Sequence, residues 1–278
     1  MKIRAVTPVI TESFGPLILE EFSRVAGPET EISNVFLRSG PASVESAYDE
    51  AVAIPDVIAR VREAEAEGMD AVIINCFGDP GLDASREVVR IPVVGACEAS
   101  MHVAAMLGHR FSVITVLERL IPELDLHARR YGVGWKLASV RSVDLPVLDL
   151  EKGREQFVGR MVEKAIEAVE EDGAHVIVLG CTGLAGLAEQ VGVGLSKVGH
   201  EVSVVDPAAT ALKVAEALVG AGLAHSKRTY PQPPEKEIVG YPRYPVRARI
   251  QYDRARGIIV RSEANRPRSS VRPRSFHI

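Results

Sequence analysis

Short aliphatic runs alternate along this chain with longer stretches of helical periodicity, and nothing else in the sequence limits the fold as tightly. Strands joined through helices pair in parallel, because a crossover returns the chain to the same edge pointing the same way. The runs Ile3–Val9, Glu31–Leu37, Ala71–Ile74, Val93–Val94, Phe111–Val116, Ala138–Val140, Val176–Leu179 and Val202–Val205 read as buried strands. Between them Pro16–Val25, Ile54–Glu67, Pro80–Val89, Ala99–Leu107, Arg119–Tyr131, Arg154–Glu171, Leu184–Val191 and Ala208–Leu218 carry helical patterns. The expectation is an α/β fold of parallel sheets wrapped by helices. With aromatic residues at 5%, the core must be aliphatic.

The alternation also repeats itself. Gly68-Met-Asp-Ala-Val-Ile-Ile-Asn-Cys76 lines up with Gly173-Ala-His-Val-Ile-Val-Leu-Gly-Cys181, each glycine eight positions before its cysteine. Acidic helix ends lead into both copies, through Glu63, Glu65 and Glu67 and through Glu170, Glu171 and Asp172. Downstream, His102–Leu107 matches Lys213–Leu218, after strands ending at Gly95 and Asp206. The offset drifts from 105 to 111, so an insertion separates the matched parts. The repeat reads as a duplicated α/β lobe within 1–229. Residues 1–110 form the core of the first lobe, 111–205 the second, and 206–222 a final helix packing back.

Each repeat carries one cysteine at the carboxyl end of a strand, the edge where open α/β sheets bind ligands. After Cys76, Asp79 suits an N-cap and Pro80 a first helical position. After Cys181, Thr182 suits the same role. Each thiol is thus expected beside a helix N-terminus, where N–H groups and the helix dipole favour thiolate. Cys97 has Ala208 at the aligned position and reads as core packing. Two matched thiols could form a redox switch, but the spacing is not Cys-x-x-Cys. A metal site would need further ligands, and the seven histidines show no cluster. Proton transfer on opposite faces of one carbon uses both: one thiolate removes a proton, and the opposite thiol returns one.

The segments Asn75-Cys76-Phe77-Gly78-Asp79-Pro80-Gly81 and Gly180-Cys181-Thr182-Gly183 resemble the aspartate/glutamate/hydantoin racemase superfamily, closest to its hydantoin and allantoin branch. Gly40–Glu50 and Ile91-Pro-Val-Val-Gly95 with Glu98 share that likeness, which spans Lys2 to Tyr230. The resemblance implies two pseudo-symmetric lobes with the site in the cleft between them, no cofactor, and Cys76 and Cys181 as the acid/base pair. It also implies substrate contacts from the backbone around Gly78–Asp79 and Thr182–Gly183, with Thr7 and Val9 at the end of the first strand. The family commonly shows Asn-Pro-Asn-Thr there, whereas this chain has Thr7-Pro8-Val9-Ile10. Amino-acid racemases of the superfamily usually follow the first cysteine with Asn-Thr; Phe77-Gly78 here argues for a cyclic ureide. The Asp79 side chain would accept a ring N–H or serve as an N-cap. Ser43 would line the cleft or cap the next helix. Alternatives are an amino-acid racemase, a maleate-type cis–trans isomerase using one cysteine as nucleophile, and a two-lobed small-molecule sensor.

Other features weigh less. Gly180-x-x-Gly183-x-x-Gly186 matches neither the dinucleotide fingerprint nor the P-loop. His102 reads as an ordinary helix histidine, and Glu98 as a first-turn carboxylate. Three cysteines, an odd and small number, fit a reducing cytosol and no disulfide framework. Neither a signal peptide nor a membrane span is expected. Residues 1–229 carry 22 basic against 33 acidic side chains, and 230–278 carry 11 against 4, with seven prolines and ten arginines. That basic tail is expected to be extended, disordered, or an arm gripping another subunit of a homo-oligomer. Without a folded platform or interleaved aromatics it does not read as nucleic-acid binding.

Overall fold

The computed structural model describes residues 1–147, 154–234, 236, 250–253 and 258–261. Strand β1 (Lys2–Thr7) pairs in parallel with β2 (Glu31–Phe36) and β3 (Ala71–Ile74), and β4 (Val93–Gly95) adds beyond β3. The order is β2-β1-β3-β4. A second sheet repeats it with β5 (Phe111–Thr115), β6 (Leu137–Ser142), β7 (Val176–Leu179) and β8 (Ser203–Val205), also all parallel, in the order β6-β5-β7-β8. Each sequence repeat is therefore one four-stranded lobe.

Helices cover both faces of each sheet, so the central strands are apolar on both sides. Along β3, Ala71 and Ile73 face one core, and Val72 and Ile74 face the other. Along β7, Val176 and Val178 face one, and Ile177 and Leu179 the other. One face of the first sheet carries α2 (Ala47–Ala66) and α3 (Leu82–Val88); the opposite face carries α1 (Gly15–Val25). The second sheet matches this, with α6 (Arg154–Glu170) and α7 (Ala188–Lys197) on one face and α5 (Ile121–Arg130) on the other.

The last helix of each lobe changes places. Helix α4 (Ala96–Leu107), which follows β4 of the first sheet, lays Cys97, Met101 and Ala104 against Phe111, Val113 and Val176 of the second. Helix α8 (Pro207–Gly220), which follows β8 of the second sheet, lays Ala208, Ala211, Leu212 and Ala215 against Ile3, Ala5 and Ile73 of the first. The two helices also pack on each other. Cys97 is fully buried in this seam, with its thiol 3.8 Å from the Met101 sulfur. Truncating the equally buried Met101 to alanine should cost about 2–5 kcal/mol through the cavity it leaves.

Several helix starts differ from the sequence reading, among them α4 at Ala96 rather than Ala99, α5 at Ile121 rather than Arg119 and α7 at Ala188 rather than Leu184, and two have a clear local cause. Helix α2 begins at Ala47, not Ile54, and takes Pro55 into its interior. Its start is set by reciprocal capping: Ser46 Oγ accepts the Asp49 N–H at 3.2 Å, and the Asp49 carboxylate accepts the Ser46 hydroxyl at 2.7 Å. That outweighs the ladder hydrogen bond lost at Pro55. Helix α3 begins at Leu82, and its N-cap is Gly81 at φ 72°, a left-handed conformation that suits glycine. Asp79 is not that cap.

Beyond α8, the chain returns across the first lobe. His225 Nε2 lies 2.8 Å from the Val93 carbonyl oxygen and 3.0 Å from the Val93 nitrogen, Lys227 donates to the Arg86 and Glu87 carbonyls, and Arg86 meets the Tyr230 hydroxyl at 3.2 Å. Arg86 also pairs with Glu98 in the first turn of α4. This first unit runs from Met1 to Glu235, and Lys236–Ile278 forms a second. In the second, β9 (Ile250–Asp253) and β10 (Ile258–Arg261) pair antiparallel. The expectations for the basic tail otherwise fall outside the described residues. Among these, no helix is long and apolar enough to cross a membrane.

Candidate active site

Cys76 and Cys181 each stand two residues past a central strand, after Ile74 of β3 and Leu179 of β7. Both line two adjoining pockets, of about 450 and 700 Å³ of empty space, which share Val44, Val147 and Thr182 as well. The repeat thus brings both thiols to one cleft.

The N–H groups expected beside the thiols are present, but in short turns. Cys181 precedes a 3-10 turn at Thr182–Leu184, whose Leu184 N–H donates to the Cys181 carbonyl at 3.1 Å; the Gly183 and Leu184 N–H groups also work to lower the pKa of the thiol. Thr182 is the first residue of that turn, not a helix N-cap, and donates its hydroxyl to the Asn75 carbonyl at 3.1 Å. The Gly78 N–H works to lower the pKa of the Cys76 thiol in the same way. Burial outweighs these N–H groups at both thiols, where the sequence reading expected them to favour thiolate. Burial pushes Cys181 up to about 11. Burial and the neighbouring Glu50 carboxyl push Cys76 well above the ordinary thiol range.

Of the other residues picked from the sequence, Thr7, Val9, Ser43, Thr182 and Gly183 line the larger pocket, and Gly78 lines the smaller. Ser43 caps nothing; Ser46 is the N-cap of α2. Asp79 lines neither pocket. Its carboxylate accepts the N–H groups of Cys97 at 3.0 Å and Glu98 at 2.8 Å and the Tyr131 hydroxyl at 2.8 Å. It therefore caps α4, from a backbone at φ 48°. A Cβ on Gly95 would lie 2.5 Å from that carboxyl group, so glycine leaves it room. Burial outweighs the three donors and raises Asp79 to about 7. Glu98 makes the ion pair with Arg86, and His102 is exposed.

The sequence reading missed a carboxyl pair. Glu50, in the first turn of α2, and Glu123, in the first turn of α5, line the smaller pocket with Cys76. Crossover helices start on the edge where strands end, so a first-turn carboxylate was a usable signal. Burial first, then Glu123 and Asp79, raise Glu50 to about 8, against a lowering by Arg130. A His127 ring nitrogen lies within 4.8 Å of both carboxyls, and burial lowers its basicity. The Glu50 and Glu123 carboxyl oxygens lie within 4.8 Å of each other, so charge on Glu123 opposes charge on Glu50. A polar chain also went unread: Asn75 Nδ2 donates to Thr7 Oγ1 at 3.2 Å, which donates to Asn34 Oδ1 at 2.7 Å. The buried Asn75 Oδ1 has no partner among the described residues.

Two parallel α/β lobes of one strand order, each giving a cysteine to a shared cleft at its strand ends, define the two-lobed α/β enzymes of racemase type. The chain belongs to the Asp/Glu/Hydantoin racemase family, whose profile matches residues 3–215, and it is a racemase. It is 41% identical to a hydantoin racemase of Rhizobium meliloti over 243 residues, 87% of this chain and 98% of that one. It is similar to the structure of an allantoin racemase from Klebsiella pneumoniae, with TM-score 0.81, 38% identity, and coverage of 86% of this chain and 96% of that one. A glutamate racemase from Francisella tularensis, at 17% identity and TM-score 0.58 over 83% of this chain and 85% of that one, shares the fold.

Proposed function

We propose that this racemase inverts 5-substituted hydantoins or allantoin by two-base proton transfer between Cys76 and Cys181, without a cofactor. The observation that carries the reading is the equivalent placement of the two thiols at one cleft. One thiolate takes the C5 proton: the C–H bond breaks, an S–H bond forms, and the electron pair moves into the adjacent carbonyl as an enolate. The opposite thiol then protonates the other face of C5, and the electrons return. The enzyme is left with thiolate and thiol exchanged, ready for the mirror-image substrate.

Other features favour a neutral ring. Among the described residues no Lys, Arg or His lines either pocket, while two carboxyls do, so a free amino acid's carboxylate would find no counter-charge. The relatives named hydantoin and allantoin racemase point the same way. Pro8, Val9, Leu17, Ile18 and Val147 give the larger pocket apolar walls suited to a C5 substituent. The N–H groups of Gly78 and Gly183 would stabilise thiolate and enolate charge as each forms.

Optical rotation of an enantiopure 5-substituted hydantoin or allantoin, followed in deuterated water, tests the reading. Rotation should decay well above the spontaneous rate, with deuterium entering at C5. Cys76→Ala and Cys181→Ala should each abolish this, and Cys97→Ala should keep it. Full activity in both of the first two variants would sink the mechanism. Isomerisation without solvent exchange would favour the covalent alternative, and binding without turnover the sensor.

A further inference from the structure

A cyclic ureide presents ring N–H groups, and Asp79 is not free to accept them because its carboxylate is spent on α4. The smaller pocket supplies another acceptor. Glu50 lies against the backbone that follows Cys76: a Cβ built on Gly78 would stand 1.7 Å from Glu50 Oε1. Its carboxyl faces the same empty space as Cys76 and Cys181. A Glu50 carboxyl oxygen also lies within 4.8 Å of a Glu123 carboxyl oxygen.

We propose that Glu50 recognises the substrate ring: one of its carboxyl oxygens accepts a ring N–H. This rests on the hydantoin and allantoin reading and narrows it to neutral cyclic ureides with a free N–H. Donors require a matched acceptor once water is displaced, and a substrate lacking the N–H leaves that acceptor buried and unpaired. A free carboxylate would add like charge to a carboxyl pair.

The titratable and charged groups facing Glu50 are Glu123, His127 and Arg130 from α5, and Cys76 and Asp79 from the loop after β3. Arg130 is itself paired with Asp83. Burial and the nearby acids hold the Glu50 proton to about pH 8. Above that, a second charge beside Cys76 opposes thiolate formation. The rise in rate that more thiolate brings should therefore level off.

The test compares kcat and KM of the full chain on a 5-substituted hydantoin and its N1-methyl and N3-methyl analogues, for wild type, Glu50→Ala and Glu50→Gln. Wild type should prefer the parent over one analogue by roughly tenfold to a hundredfold. Glu50→Ala should lose that preference, mainly through KM, and Glu50→Gln, which keeps an acceptor oxygen, should regain it. In kcat/KM, wild type should level off above about pH 8, while Glu50→Gln continues to rise. Independent effects of methylation and substitution at both nitrogens overturn the proposal. So does coupling that appears with Asn75→Ala and not with Glu50→Ala. A wild type that turns over no hydantoin or allantoin overturns the proposed function as well; turnover without coupling overturns only this inference.

Discussion

Asp79 and Asp206 make the same tie from opposite ends. Asp79, on the loop after β3, reaches to the first N–H groups of α4; Asp206, at the start of α8, caps its own helix and accepts the Gly186 N–H, from the chain after β7, at 2.8 Å. In the aligned repeats Asp206 stands where the first lobe has Gly95, and Gly95 leaves room for Asp79. Each cysteine-bearing loop is thereby fastened to an exchanged helix, with the carboxylate moved from one partner to the other.

The two ties should differ in strength. Asp206→Ala removes an N-cap and the acceptor of the Gly186 N–H and should cost about 1–2 kcal/mol. Asp79→Ala strands the N–H groups of Cys97 and Glu98 away from water and should cost about 2–4 kcal/mol. Asp79 also carries a pH signature. Its folded value of about 7 lies above the ordinary 3.8, so its stabilising contribution is full at low pH and is lost as pH rises through that window. The deficit of Asp79→Ala should therefore shrink from pH 5 to pH 8. Urea midpoints of both variants at the two pH values check this; a larger deficit for Asp206→Ala would contradict it.

Gly78→Ala should lower kcat/KM at least tenfold, because the new methyl occupies the place of the Glu50 carboxyl. If displacement of Glu50 is the whole effect, adding Gly78→Ala to Glu50→Ala should change little. Kinetics of the two single variants and the double variant settle the matter, and strictly additive losses would reject the steric account.

Alkylation reports the thiols directly. Because burial raises both cysteines, iodoacetamide should label Cys76 and Cys181 more slowly at pH 7 than a free cysteine. Labelling of Cys181 should accelerate about tenfold per pH unit until its pKa is approached. Cys97 should stay unlabelled until the protein unfolds. Peptide mass spectrometry across a pH series reads all three sites, and fast labelling of both cleft cysteines at pH 7 would show that the thiolate dominates.

His225 sets an acid limit. Burial and Arg86 lower it from 6.5 to about 4, against a raising by the Val93 backbone, so the folded chain holds it neutral. The unfolded chain binds the proton first, and stability falls as pH drops from about 6.5 towards 4. Melting temperatures over that range should decline less steeply in His225→Gln. An identical slope in the variant would remove His225 from the account.

The strands and the repeat were readable because a strand buried on both faces, such as Val176–Leu179, must be apolar at consecutive positions. The matched strand-end places of Cys76 and Cys181 were readable because the repeat aligns them and leaves Cys97 without a counterpart. The exchange of α4 and α8 was not, because alanine-rich helices such as Ala96–Leu107 and Pro207–Gly220 suit either sheet. Asp79 was misread because it sits directly before Pro80 and the local capping signal hid a tertiary one. Glu50 and Glu123 belong to different lobes, and only the cleft brings them together.

The exchanged helices mean that neither half of this chain can close its own core. A fragment ending near Leu107 would keep α4 with nothing of the second sheet beneath it, and would lack α8 over Ile3, Ala5 and Ile73. The geometry is that of a domain-swapped dimer whose two subunits have been joined end to end. Cut between Leu107 and Phe111, the halves should be poorly folded apart and should reassemble when expressed together, each completing the other.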